Sequence, residues 1–200
     1  MRMLIILLSS FWLVTTAFAA PSNGPSNLKN NKAIFAGGCF WCLQSDFDKV
    51  PGVISTISGY TGGKVKNPTY EQVSNGGTGH YESVQVIYNP NIVSYPQLLN
   101  VFWHSIDPTD ASGQFCDKGA QYQAVIFYNN PSQEKLARTS KTALLASGRF
   151  KQIATKILPE KIFYPAEAYH QNYYKKNPLR YRFYRYKCGR DRRIKEVWSH

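Results

Sequence analysis

Cysteine is scarce: four in 200 residues, too few for a chain of this size to be built as a disulfide scaffold. No second C-x-x-C and no H-x3-H follows at ligand spacing, which excludes a zinc centre of the finger or ribbon kind. The glycine-rich loops lack the spacing of either nucleotide fingerprint, and no internal repeat is present. Acidic residues are also few, 12 against 24 Lys and Arg, for a formal net charge of +12. No apolar run is long enough to span a bilayer. The longest, Leu4 to Val14, is interrupted by Ser9 and Ser10.

That run follows Met1-Arg2-Met3 and ends in the small residues Ala17-Phe18-Ala19-Ala20, the layout of a secretory signal peptide over residues 1–19, cleaved after Ala19 or Ala20. The expectation is an exported protein, periplasmic or secreted, with no stable membrane insertion after cleavage. Residues 20–31, rich in Pro, Ser, Asn and Gly, read as a disordered lead-in. Residues 32–198 read as a single domain with one core. Much of the basic excess lies in Lys175, Lys176, Arg180, Arg182, Arg185, Lys187, Arg190, Arg192, Arg193 and Lys195, interleaved with tyrosines. Such a mixture can bind single-stranded nucleic acid. Export argues against that partner, and the segment reads instead as a solvated, mobile tail whose tyrosines pack on the domain beneath the basic stems.

Alternating or apolar runs predict strands over Val53–Tyr60, Tyr81–Tyr88 and Ala124–Tyr128. Helical periodicity predicts helices over Ser94–His104, Ser132–Ser147 and Ala166–Lys176. Ser94 is a candidate N-cap, and Pro131 fits the first turn of its helix. Strands and helices in this order indicate an α+β layer domain.

The chemistry concentrates at Gly37-Gly38-Cys39-Phe40-Trp41-Cys42, between the apolar run Ala33–Ala36 and a helical stretch beginning at Leu43. Cys39 therefore stands at a strand-to-helix turn, where unpaired backbone N–H groups and the helix dipole favour a thiolate. Phe40 and Trp41 can wall an apolar pocket beside it. Cys39 is the candidate nucleophile, and the bland alternative is a small core hydrophobe. The C-x-x-C formed with Cys42 also admits a thiol–disulfide oxidoreductase that shuffles disulfides in exported proteins.

Three polar, glycine-rich clusters follow: Gly59-Tyr60-Thr61-Gly62-Gly63 with Asn67-Pro68-Thr69-Tyr70; Thr78-Gly79-His80-Tyr81-Glu82; and Asp107-Pro108-Thr109 with Asp117-Lys118-Gly119-Ala120-Gln121-Tyr122. Together with Gly38-Cys39-Phe40-Trp41 and Tyr169-His170-Gln171, and in this order across Lys32 to Trp198, the chain resembles the peptide methionine sulfoxide reductase A family. The resemblance implies a two-layer α/β plait, of the ferredoxin-like sandwich type. It also implies reduction of the S epimer of methionine sulfoxide, free or in proteins, and so repair of oxidised proteins.

On that resemblance Cys39 attacks the sulfoxide sulfur, Glu82 is the acid, and Tyr70 and Tyr122 donate hydrogen bonds to the sulfoxide oxygen. Phe40 and Trp41 receive the substrate methyl group, and Asp117 lines the polar side. His80 and His170 read as loop-fixing residues outside the catalytic set. The sulfenic acid left on Cys39 condenses with a second thiol: first choice Cys188, as C-terminal cysteines act in the family, then Cys42, then Cys116. No bound cofactor or metal is implied; electrons come from a thioredoxin-like dithiol, and the protein is read as a monomer that does not bind nucleic acid. Two positions depart from the family's common pattern: Gln123-Ala124 stands where Arg-Ser is usual, and Cys42 often corresponds to another residue.

Overall fold

The computed structural model describes residues 31–199. The signal peptide read over residues 1–19, and all of the lead-in except Asn31, lie outside the described residues. The first strand, β1 (Lys32–Ala36), runs directly into α1 (Phe40–Phe47). There follow β2 (Val53–Thr61), α2 (Tyr70–Ser74), β3 (Tyr81–Tyr88) and α3 (Tyr95–His104). A two-residue hairpin pair, β4 (Gly113–Gln114) and β5 (Asp117–Lys118), precedes a 3-10 turn at Ala120–Tyr122 and β6 (Val125–Tyr128). The remainder is α4 (Pro131–Ala146), β7 (Lys156–Pro159), β8 (Tyr164–Pro165), α5 (Tyr173–Lys176), α6 (Pro178–Lys187) and α7 (Arg190–Trp198).

Six strands form one mixed sheet in the order β7-β6-β1-β3-β2-β8, with β6 and β7 parallel and the other pairs antiparallel. Strand alternation assigns the faces. From central β1, Ala33 and Phe35 enter the main core with Val84 and Val86 of β3, under Leu43 and Phe47 of α1 and Leu98, Leu99 and Phe102 of α3. Ile34 and Ala36 point the other way, into a smaller cluster with Val125 and Phe127 that Leu158 and Phe163 cover. Being buried on both faces, β1 reads as an unbroken apolar run rather than an alternating one. Phe35 sits at the centre, its ring 5.0 Å from that of Phe47 and 5.1 Å from that of Phe102. Phe35→Ala is expected to cost about 3–5 kcal/mol, through lost burial plus the cavity left behind, measurable as a lower midpoint in urea unfolding.

Helix starts follow local chemistry. Ser94 and Thr69 each form a complete capping box, with Gln97 and Gln72, and Pro131 occupies the first turn of α4 behind the cap Asn130. Two expectations about the C-terminal part are corrected. Ala166–Lys176 is not one helix: only Tyr173–Lys176 is helical. The preceding turn is held by tertiary hydrogen bonds, since the Gln171 side chain bonds both backbone groups of Ser58 on β2 and the Asn172 N–H donates to Gln44. Contacts of that kind override helical propensity. The segment read as a solvated tail forms α6 and α7, and Tyr181 and Arg190 from it are buried. Among the described residues no helix is long and apolar enough to cross a membrane.

Candidate active site

Cys39 is the N-cap residue of α1, its carbonyl accepting the N–H groups of Cys42 and Leu43. The bend before it needs Gly38, whose φ is +80° and whose pro-side-chain position faces the Cβ of Gln114 at 2.7 Å. A side chain there would suffer both backbone strain and a clash. Both Cys39 and Cys42 are buried free thiols, packed together with Tyr181 and flanked by Trp41, Tyr173, Tyr174 and Tyr184.

Glu82, the second residue of β3, lies directly opposite Tyr60 of β2, and period-2 alternation places it on the same face as Val84 and Val86, beneath α1. It is 2% exposed. One carboxylate oxygen, Oε2, accepts the Phe40 backbone N–H at 3.0 Å. Burial pushes the Glu82 carboxyl up to about 8 against the pull of that hydrogen bond, and the charges of Asp117 and Cys42 add to the rise. The group is therefore mostly protonated at neutral pH.

Tyr70 and Tyr122 are half-buried and face the same charges. Burial, then Glu82 and Cys39, push the Tyr70 phenol up to about 12. Burial, then Glu82 and Tyr70, raise Tyr122 likewise. Both phenols keep their protons and are available as donors. Asp117, from β5, accepts the Tyr184 hydroxyl at 2.5 Å. Burial raises its carboxyl, opposed by that hydrogen bond, by Arg190 and by the Cys39 backbone N–H.

Phe40 is buried against Tyr60 and Tyr70, while Trp41 is partly exposed, stacked on Tyr173 at 3.8 Å between ring centroids. The Trp41 indole N–H donates to His170 Nδ1 at 3.0 Å. Burial pulls His170 down to about 4, so the ring is neutral and able to accept that bond. His170 thus fixes the orientation of the aromatic wall.

The thiol pair departs from the sequence expectation. The helix N-terminus is where it was placed, yet burial raises Cys39 well above an ordinary thiol, reinforced by the hydrogen bond and charge of Cys42 and by Glu82 and Asp117. Cys42 moves the opposite way: the hydrogen bond from Cys39 outweighs its own burial, and Arg190 and Arg185 add to the lowering. Cys39 thus keeps its proton and donates it in a hydrogen bond to Cys42, whose thiol is held below its ordinary value. Cys188, the first choice as the thiol that resolves a sulfenic acid on Cys39, is not free in this structure. Cys188 is joined to Cys116, with Cα atoms 4.9 Å apart, because the β4–β5 hairpin brings Cys116 against the C-terminal end of α6.

Two residues of the site were not singled out from sequence. Glu167 accepts the Tyr60 hydroxyl and the Tyr70 backbone N–H, both at 2.8 Å, anchoring the start of α2 that carries Tyr70. Arg190, counted with the basic tail, is 1% exposed and donates to the carbonyl of Gly37. A glutamate just ahead of Tyr169-His170-Gln171 was a usable signal for the first. Nothing local distinguishes Arg190 from its basic neighbours.

A buried thiol pair, a protonated carboxyl and two phenolic donors around an aromatic-walled turn define a thiol oxidoreductase site on a mixed α/β domain. Residues 31–200 match the family described as Peptide methionine sulfoxide reductase, and the chain belongs to that family. It is 54% identical over 169 residues to the peptide methionine sulfoxide reductase MsrA of Halalkalibacterium halodurans, covering 84% of this chain and 96% of that one. The MsrA of Bacillus subtilis is 52% identical over 172 residues, with 86% and 97% covered. Among solved structures, methionine sulfoxide reductase A of Corynebacterium diphtheriae superposes with a TM-score of 0.67 at 34% identity, covering 74% of this chain and 76% of that one. Reduced Mxr1 of Saccharomyces cerevisiae gives 0.69 at 33%, with 74% and 85% covered.

Proposed function

We propose that this enzyme reduces methionine S-sulfoxide, free or in proteins, to methionine, and so repairs oxidised proteins. The observation that carries the proposal is the buried Glu82, held protonated at neutral pH within the same cluster of charges as Cys39. Phe40 and Trp41 receive the substrate methyl group. As Cys39 gives up its proton and its sulfur bonds to the sulfoxide sulfur, Glu82 protonates the oxygen and Tyr70 and Tyr122 stabilise its growing charge. Oxygen passes to Cys39 as a sulfenic acid, methionine leaves, and the proton lost by the thiol restores Glu82.

Cys42, already hydrogen-bonded to Cys39, is the resolving thiol: its sulfur displaces hydroxide, which leaves as water, and a Cys39–Cys42 disulfide forms. Both sulfurs are buried, whereas Cys116 is exposed. Electrons from a thioredoxin-like dithiol therefore enter at the Cys116–Cys188 disulfide. They pass inward by thiol–disulfide exchange past Tyr184, whose hydroxyl lies 4.0 Å from Cys188 Sγ and also bonds Asp117. The order β6-β1-β3-β2, with α1 and α3 on one face, supports a two-layer plait at the centre of the fold. The N-terminal layout supports export, and the enzyme is proposed to act as a monomer.

The test is dithiothreitol-driven turnover of the separated S and R epimers of a dabsylated methionine sulfoxide. Turnover of the S epimer alone is expected. Turnover of neither, together with reduction of insulin disulfides, sinks the proposal in favour of a disulfide shuffler.

A further inference from the structure

Arg190 is the bulkiest of the fully buried side chains among the described residues. A buried guanidinium is strongly unfavourable unless partners offset its desolvation, and its partners are few. Nη1 donates to the Gly37 carbonyl at 3.2 Å and Nη2 to the Ser105 carbonyl at 2.6 Å, while the guanidinium lies 4.6 Å from the Phe115 ring. Its nearest anion, Asp46 Oδ2, stands 4.0 Å from Nε, and neither atom has a hydrogen-bond partner.

The position of these contacts explains what such an expensive group can do. Gly37 lies two residues before Cys39. Asp46 lies one helical turn beyond Cys42, on the same face of α1. The guanidinium, delivered by the first residue of α7, thus touches the turn that presents one thiol and faces the strip of helix that carries the other.

The groups facing Cys42 come from four elements: Cys39 and Asp46 of α1; Tyr181, Tyr184 and Arg185 of α6; Glu82 of β3; and Arg190 of α7. Of the two cations, Arg185 is already engaged by Asp46 at 2.9 Å and by Asp191 at 2.7 Å. Arg190 bonds only neutral carbonyls, so its charge is the less neutralised.

We propose that Arg190 is a positioning residue for the thiol pair: it clamps the Gly37-Gly38 turn that presents Cys39 and holds its charge against the face of α1 that carries Cys42. The assignment rests on Cys42 as the resolving thiol. It ties the chemistry to the docking of α7, since displacing that helix removes both the clamp and the charge.

The test uses the full domain carrying Cys39→Ser, with the Cys116–Cys188 disulfide intact, so that Cys42 is the one thiol that titrates in thiolate absorbance near 240 nm. Arg190→Gln retains a donor for the carbonyls and removes the charge; it is expected to raise the Cys42 midpoint by about one pH unit, while Arg190→Lys restores it most of the way. Asp46→Asn, which strips the facing anion, is expected to lower the midpoint and serves if Arg190→Gln does not fold. A midpoint unmoved in folded Arg190→Gln, or unmoved in Asp46→Asn, overturns the proposal. The titration reads Cys42 without sulfoxide turnover. A midpoint that moves while Cys42→Ser still resolves the sulfenic acid at the normal rate would therefore remove the resolving role and leave the charge effect standing.

Discussion

Cys39→Ser is expected to abolish reduction of the S-sulfoxide, a loss of at least about a thousandfold, because an alkoxide is not available at this site and no other thiol replaces the attacking sulfur. Folding should be unaffected, since serine is close in size and the cap contacts of α1 are made by the Cys39 backbone. Cys42→Ser separates the two halves of the reaction. It should still release one equivalent of methionine in a single turnover, then accumulate a sulfenic acid on Cys39 that dimedone traps. Loss of that first equivalent in Cys42→Ser would show that Cys42 is needed for attack and not only for resolution. Loss of turnover in Cys42→Ser with Cys39→Ser active would reverse the two assignments.

Glu82→Gln is the second large effect, and it runs in opposite directions for activity and stability. Removing a general acid costs about 10²- to 10⁴-fold in rate. In the wild-type enzyme, turnover should fall as pH rises through about 8, where Glu82 loses its proton. That limb should vanish in the variant. Stability follows from the same shift. A carboxyl raised from 4.5 to about 8 by folding binds more protons folded than unfolded between those values, so it makes the folded state progressively less stable as pH climbs through that window. Glutamine carries no such penalty and can still accept the Phe40 N–H. The variant should therefore be the more stable protein at pH 7, by as much as about 3 kcal/mol, and the two proteins should converge towards pH 4. Equal urea midpoints at pH 8 would mean that Glu82 is not held protonated by its surroundings.

The largest elements were legible in the chain. β2, β3, α3 and α4 are read from periodicity, and the cap at Ser94 and the proline at 131 act through neighbours only three or four residues away. The strand-to-helix turn at Cys39 was equally local. Glu82 was half legible: a lone carboxylate on a strand usually faces solvent, and only a resemblance carried by seven motifs named its role. The helix expected over Ala166–Lys176 failed because Gln171, Glu167 and His170 spend their side chains on partners about 100 residues or more away.

By itself the sequence singled out the residues proposed to carry the chemistry, because a candidate nucleophile, acid and donors are read from residue type and short motifs. Only the tertiary structure decided their ionisation and their pairing. It raised Cys39 and Glu82 by burial, joined Cys188 to Cys116, and drew Arg190 out of a basic stretch to the turn before the nucleophile. Desolvation and charge are sums over everything packed around a group, and those neighbours come from segments that the chain brings together only on folding.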